Sequence, residues 1–349
     1  MGRRRFELLS CAYMRIFLAL VLLATSAGNI VAGQAGHADQ LVQQLGRGIN
    51  VLGYDPIWKD PSKAHFQPGD YKMLHDSGFQ HIRVNLQAFS HMDAADKLDL
   101  KWLETLDSVI EQATEAGLLV ILDEHDFQFC GRGADECRSK LLAFWRQIGP
   151  RYRNAPASVL FEILNEPNRA MTPDLWNGLL SETLALIRQT NPTRGVVIGP
   201  ANSNNFRSLD ALVLPTTDRN IIVTVHYYDP FPFTHQGATW TVPSRERLIG
   251  VPWGTDADHQ TIVRNFSNIA AWSKAHDRPI LLGEFGSYDK ADMAARVAWT
   301  SAVARTAERD HFAWSYWQFE SSFSAYDIAN RHWIEPIYDA LIPKTTIRP

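Results

Sequence analysis

The sequence predicts an α/β fold, a (β/α)8 barrel in a single domain. The main observation is that eight short apolar segments of strand length alternate with segments of helical periodicity between residues 48 and 317. In addition, polar residues suited to catalysis follow several of these strands directly, and a parallel barrel gathers such positions on one face. With 349 residues, 45% of them hydrophobic, the chain has enough apolar surface for one large core.

The predicted strands are residues 48–53, 81–86, 118–123, 158–167, 195–199, 221–226, 279–286 and 312–317. The predicted helices are residues 71–77, 100–116, 140–152, 172–189, 258–276 and 291–308. The second helix has apolar residues at helical spacing and ends at Gly117, and the fourth begins with Thr172 as cap and Pro173 at the first helical position. The sequence shows no internal repeat, linker or separate carbohydrate-binding module.

Two of these strands end in a glutamate. The apolar run after Ser158 stops at Pro167, which places Glu166 where the strand gives way to a loop, beside Asn165. The strand of residues 279–286 delivers Glu284 in the same way. A pair of carboxylates at strand ends suits hydrolysis of a glycosidic bond, which needs one protonated acid and one ionised carboxylate.

These motifs resemble glycoside hydrolase family 5, the cellulase A family of retaining barrel enzymes. The resemblance covers residues 45–343 and is carried by Asn-Glu-Pro at 165–167 and by the stretches VHYYDPFPFTHQGATW, ILLGEFGSYDKADM and AWSYWQF, as in the bacterial endoglucanase and mannanase branch. It implies a secreted retaining endo-β-1,4-glucanase. A mannanase, a β-1,3 or mixed-linkage glucanase and an oligosaccharide-trimming β-glucosidase stay open, and so does a catalytically silent carbohydrate-binding barrel, which the intact pair of glutamates disfavours.

The resemblance also implies roles for single residues. Glu166 corresponds to the general acid/base and Glu284 to the nucleophile. The supporting residues are Arg83, His125, Asn165, His226 and Tyr228, and the substrate-binding aromatics are Trp317, Trp240, Trp253, Phe89 and Trp58. We expect Arg83 and Tyr228 to hold the nucleophile in its ionised form. Glu162 alternates inward with Glu166, and we interpret it as a structural partner of a buried arginine or hydroxyl rather than as a catalyst.

The first 35 residues have the pattern of a secretory signal. Three arginines at positions 3–5 precede an apolar run at 16–24 that is too short for a stable membrane span, and small residues follow. We therefore expect a secreted or periplasmic protein whose catalytic domain is residues 36–349; an uncleaved membrane anchor is the alternative. In an exported protein, Cys130 and Cys137 are expected to form a disulfide, because no second pair completes a metal site.

The composition limits which binding partners we expect for this protein. The formal net charge of −4 gives no reason to expect nucleic acid or an anionic membrane as a partner after signal cleavage. The twelve histidines include no HExxH spacing, so we expect no metal and no cofactor. The expected partner is a polysaccharide or oligosaccharide substrate, for which the eleven tryptophans offer flat faces, and the expected state is a monomer.

Overall fold

Eight parallel strands form a closed barrel in chain order, with the eighth paired to the first. The computed structural model describes residues 37–344. The strands are β1 (Arg47–Val51), β2 (His81–Leu86), β3 (Leu119–Glu124), β4 (Val159–Glu162), β5 (Val196–Ile198), β6 (Ile221–Tyr227), β7 (Ile280–Phe285) and β8 (Ala313–Tyr316). The predicted (β/α)8 barrel is confirmed, and each predicted strand overlaps an observed one. The strand predicted at 158–167 is wrong in its end: β4 stops at Glu162, so Glu166 lies in the loop beyond it. An antiparallel pair of two-residue strands, β9 (Tyr326–Asp327) and β10 (His332–Trp333), follows the barrel.

Helices pack around this barrel. They are α1 (His37–Leu45), α2 (Pro68–Asp76), α3 (Leu100–Glu115), α4 (Phe127–Cys130), α5 (Ala134–Arg151), α6 (Pro173–Arg188), α7 (Ala201–Asn204), α8 (Phe231–Thr234), α9 (Asp256–His276), α10 (Met293–Arg309) and α11 (Glu335–Leu341). Four 3-10 turns lie at Pro56–Trp58, Pro61–Lys63, Ala88–His91 and Phe206–Ala211. The helix predicted at 140–152 begins earlier, because Gly133 caps it and two acidic residues occupy its first turn.

The helix α1 closes the amino-terminal end of the barrel, and it was not predicted from the sequence. Its buried residues are Ala38, Leu41, Val42 and Leu45, which pack on a layer of inward-facing side chains made by Ile121, Leu160, Val197, Ile222, Leu281 and Ala313. Short amphipathic helices such as this one depend on tertiary packing for most of their stability. The bottom of the barrel is therefore apolar, and it carries no catalytic group.

The next layer shows how tightly the interior is filled. The ring of His81 lies inside the barrel, where its Nδ1 contacts the carbonyl oxygen of Leu45 at 2.7 Å and its Nε2 contacts Oγ of Ser315 at 2.5 Å. A Cβ on Gly48 would lie 2.1 Å from this ring, so only glycine fits opposite it. Burial lowers the pKa of His81 to about 4, so the imidazole is neutral at ordinary pH.

The disulfide expected between Cys130 and Cys137 is present, with the two Cα atoms 4.6 Å apart. It ties the turn after β3 to the first turn of α5 beside the open face of the barrel. Within residues 37–344, no helix has the length and apolarity needed to cross a membrane. The signal predicted at residues 1–35 lies outside the described residues.

Candidate active site

Arg83 is the centre of a polar network at the carboxyl ends of the strands. It extends inward from β2 and is fully buried. Its Nε and Nη2 donate to the two oxygens of Glu162 at 2.7 and 2.8 Å. Its Nη1 donates to Glu284 at 2.9 Å and to Asn50 at 2.8 Å, and its Nη2 donates to Asn165 at 2.9 Å. The structural role expected for Glu162 is confirmed, and Asn50 is a partner that the sequence reading missed.

The carboxylate of Glu284 is held through both of its oxygens. Oε1 accepts from Arg83, and Oε2 accepts from the hydroxyl of Tyr228 at 2.9 Å. Burial and the adjacent carboxylates raise the pKa of Tyr228 well above its usual value, so the phenol stays a hydrogen-bond donor. Charge-assisted bonds of this kind orient a carboxylate. Glu284 is therefore held in one orientation by two donors.

The other glutamate, Glu166, lies in the loop after β4 in left-handed backbone conformation, with φ 43°. This is a strained geometry for a residue other than glycine, and such residues cluster at functional sites. The side chain of Asn168 stabilises the turn by donating to the carbonyl oxygen of Glu166 at 2.7 Å. Burial raises the pKa of Glu166 to about 7, so this carboxyl is largely protonated in weakly acidic solution. It is therefore suited to act as a general acid.

One oxygen of Glu166 and one oxygen of Glu284 lie within 4.8 Å of each other. His226 lies between the two glutamates, with Nδ1 2.8 Å from Glu166 and 3.5 Å from Glu284. An irregularity in the pairing of β6 with β7, just after Val225, places His226 opposite Glu284. Bulges of this kind often re-aim a side chain next to an active site. Both carboxylates can thus reach the same sugar.

The proton on His226 is placed by Asn204, which the sequence reading did not single out. Burial lowers the pKa of His226 to about 4, so the ring is neutral. The amide nitrogen of Asn204 lies 3.2 Å from Nε2, which makes Nε2 the acceptor and leaves Nδ1 to donate to Glu166. Asn204 lies in a left-handed turn, with φ 51°, packed against Gly199. The segment Asn202-Ser203-Asn204-Asn205, with three asparagines in four residues, was the only signal for it in the sequence.

His125, like His226, contacts a carboxylate through Nδ1. Its Nδ1 lies 2.5 Å from Oδ2 of Asp123, another residue that the sequence reading missed. Burial alone would lower the pKa of His125, but the Asp123 carboxylate outweighs it, and the pKa is raised. The ring of His125 stacks on Trp317 at 5.5 Å with a 6° angle between the planes. Its Nε2 lies 3.4 Å from the amide nitrogen of Asn165. The structure therefore brings together every predicted catalytic and supporting residue.

Two adjoining cavities open above the glutamates. One, of 470 Å³, is lined by both glutamates together with Trp317 and the exposed Tyr54. The other, of 610 Å³, is lined by Glu166 and His226 but not by Glu284. Trp240, half exposed, lines both cavities. The predicted aromatics Trp317 and Trp240 thus lie in the cleft, and Tyr54 is an aromatic that the sequence reading missed.

The other three predicted aromatics do not line either cavity, so the structure places them outside the cleft. Trp58 packs on Trp102 with the ring centroids 5.6 Å apart, and Phe89 packs edge-on against Phe129 at 5.5 Å. Trp253 is also buried, with 8% of its surface exposed. Loops fold these rings into the apolar core, which gains more from burying them than from leaving them in solvent.

Two groups of carboxylates and imidazoles within residues 37–344 are close enough to share an ion. One is His226 with the two glutamates, where the buried Arg83 already neutralises negative charge. The other is Asp55 with His65 and Glu320; the carboxylate of Asp55 is engaged with backbone N–H groups of its own loop. Neither group has the closed ligand set of a structural metal site.

Comparison with known proteins agrees with this geometry. The family described as Cellulase (glycosyl hydrolase family 5) matches residues 42–322. The chain belongs to glycosyl hydrolase family 5. Its family relatives include Endoglucanase H of Acetivibrio thermocellus, 28% identical over 285 residues that cover 80% of this chain and 30% of that protein. Endoglucanase 3 of Fibrobacter succinogenes is 24% identical over 357 residues, covering 87% of this chain and 53% of that protein. The chain thus spans about a third to a half of the length of these curated relatives.

Solved structures match over nearly their whole length. A hyperthermophilic endo-β-1,4-glucanase in complex with substrate is 35% identical with a TM-score of 0.83, covering 88% of this chain and 99% of that one. Cel5A of Thermotoga maritima in complex with mannotriose is 35% identical with a TM-score of 0.83, covering 87% and 100%. The cellulose synthase subunit Z of Clostridioides difficile is 30% identical with a TM-score of 0.80, covering 85% and 99%.

Proposed function

We propose that this family 5 protein is a secreted endo-β-1,4-glucanase that hydrolyses β-glucan with retention of anomeric configuration. The observation that carries the proposal is the closeness of the two differently supported glutamates, with one oxygen of each within 4.8 Å. Retaining pairs lie about 5–5.5 Å apart, whereas inverting pairs lie about 6.5–9.5 Å apart to admit a water. The cavities on both sides of the pair support cleavage within a chain, because sugars can extend in either direction.

In the first step, Glu284 attacks the anomeric carbon while Glu166 transfers its proton to the glycosidic oxygen. The bond between that carbon and the oxygen breaks, an ester forms on Glu284, and the leaving sugar departs as a neutral alcohol. Arg83 and Tyr228 hydrogen-bond the attacking carboxylate and orient it. The amide of Asn165 lies beside this position, where it can hydrogen-bond the sugar 2-hydroxyl.

In the second step, Glu166 is a carboxylate and takes a proton from a water that attacks the anomeric carbon. The ester bond breaks, and Glu284 is released as a carboxylate. The neutral His226 donates from Nδ1 to Glu166 in both steps, which stabilises this carboxylate after it has given its proton away. Two inversions at one carbon leave the product with the configuration of the substrate.

The test is azide rescue with an activated aryl β-cellobioside. We expect Glu284→Ala to lose hydrolysis and to form the inverted glycosyl azide when azide is added. Glu166→Ala should keep the first step with a good leaving group and give the retained azide. Glu182→Ala removes a surface glutamate paired with Arg138, and it should leave activity unchanged. An inverted initial product from the wild type, followed by NMR, would contradict retention.

Hydrolysis of β-mannan is a second candidate, favoured by the relative solved with mannotriose. Product sizing on cellulose, mixed-linkage glucan, laminarin and mannan separates the candidates. Release of short oligosaccharides of mixed length from a β-1,4-glucan supports the endoglucanase. A rate on mannan above that on every glucan would replace it with a mannanase.

A further inference from the structure

Three arginines line one end of the cleft. Arg132, Arg169 and Arg207 come from the segments after β3, β4 and β5 and border the 610 Å³ cavity that contains Glu166. The 470 Å³ cavity around Glu284 has no arginine or lysine among its lining residues. Positive charge in the cleft is thus concentrated on one side of the glutamate pair.

The chemistry of the glutamates identifies this side. Glu284 attacks the anomeric carbon of the sugar that stays on the enzyme, so that sugar lies in the cavity lined by Glu284. Glu166 protonates the oxygen that leaves, so the leaving sugars extend beyond Glu166, away from Glu284. The cavity with Glu166 but without Glu284 therefore holds the leaving group.

Most of these arginines have no carboxylate partner within residues 37–344. Among residues 37–344, Arg132 and Arg169 form no ion pair, whereas Arg207 pairs with Asp229 at 2.5 Å. Besides Glu166, Asp229 is the only carboxylate that lines this cavity. Besides Glu166, this cavity is therefore lined by three arginines and one aspartate.

Two of the guanidinium groups also lie over aromatic rings. The guanidinium of Arg207 lies 4.3 Å from the ring centre of Phe206, and that of Arg132 lies 5.5 Å from the ring centre of Phe129. Stacking on an aromatic face restricts a guanidinium while leaving its N–H groups free at the edge.

We infer that the leaving-group side of the cleft binds an anionic sugar, so that the substrate is an acidic β-glycan with a carboxylate or phosphate beyond the bond that is cleaved. This rests on the proposed function, because the glycosidase reaction defines the two sides. A neutral glucan offers hydroxyl groups and apolar ring faces but no negative charge to pair with three arginines. Planar guanidinium groups match carboxylates and phosphates through paired N–H donors.

The test compares the binding of three disaccharides by calorimetry at pH 6.5 and low salt. They are cellobiose, cellobiouronic acid with its carboxylate on the non-reducing sugar, and cellobiose 6′-phosphate. Two exposed ion pairs together give about a fivefold preference, and we expect at least one of the anionic disaccharides to bind about fivefold more tightly than cellobiose. The anion with the larger gain identifies the group, and 0.5 M salt should remove most of it.

The double variant Arg132→Gln/Arg169→Gln should bind the three disaccharides about equally. Arg153→Gln is the matched control, because it removes an exposed arginine between α5 and β4 at the opposite end of the barrel, and it should keep the preference. Equal binding of all three by the wild type, or a preference that survives in the double variant, would overturn the inference. Release of nitrophenol from an aryl cellobioside is measured in parallel, so a failure of the proposed function is seen separately.

Discussion

The raised pKa of Glu166 predicts a pH-dependent cost in stability that one substitution should remove. The side chain is 18% exposed, so solvent screening is limited. Burial raises its pKa from the ordinary 4.5 to about 7, which corresponds to about 3 kcal/mol between the two protonation states. A carboxyl with a raised pKa stabilises the fold fully below pH 4.5, and this contribution is lost as the pH rises to about 7 and above.

Glu166→Gln keeps the shape of the side chain and an acceptor for His226 but has no proton to lose. Linkage gives a wild-type loss of about 2.5 kcal/mol between pH 5 and pH 8 from this group alone. The free energy of unfolding of the variant, minus that of the wild type, should therefore increase by about 2.5 kcal/mol over this range. Other titrating groups are common to both proteins and cancel in the difference.

Guanidinium unfolding at pH 5, 6.5 and 8 measures this difference, with calorimetric melting at a fixed scan rate as a second readout. Glu182→Gln, which removes a surface glutamate, is the control and should differ from the wild type by no more than about 0.5 kcal/mol at each pH. A difference for Glu166→Gln that is flat between pH 5 and pH 8 would refute the assignment of a raised pKa, and with it the physical reason for making this residue the acid.

Three further outcomes follow from the contacts. Asn204→Ala should lower kcat about tenfold and leave the proton of His226 divided between its two ring nitrogens, which nitrogen NMR detects; an unchanged spectrum would contradict the role of Asn204. Arg83→Met should destabilise the fold by about 3–5 kcal/mol, because it leaves buried carboxylates unpaired; chemical unfolding measures the loss, and a change below 1 kcal/mol would be inconsistent with it. Replacing Cys130 and Cys137 by alanine should cost about 2.5 kcal/mol for a loop this short, and a melting temperature equal to that of the oxidised wild type would argue against it.

The alternation of apolar strands with amphipathic helices determined the barrel. Glu166 and Glu284 could be placed at the open face because each follows an apolar run of strand length in a parallel barrel, although only Glu284 lies within its strand and Glu166 lies in the loop after β4. The same alternation along β4 placed Glu162 inside the barrel, and the structure shows its pairing with Arg83. These predictions depend on local periodicity, which the sequence carries directly.

Other features were decided by contacts between distant parts of the chain. Trp58, Phe89 and Trp253 have the chemistry of sugar platforms, but whether an aromatic ring faces a cleft or a core depends on how its loop folds back. Asn204 directs the proton of His226 only because a left-handed turn brings it there. The helix α1 closes the barrel because six strands together present an apolar layer to it. A sequence specifies which groups each residue offers, but only the closed barrel specifies which of them meet.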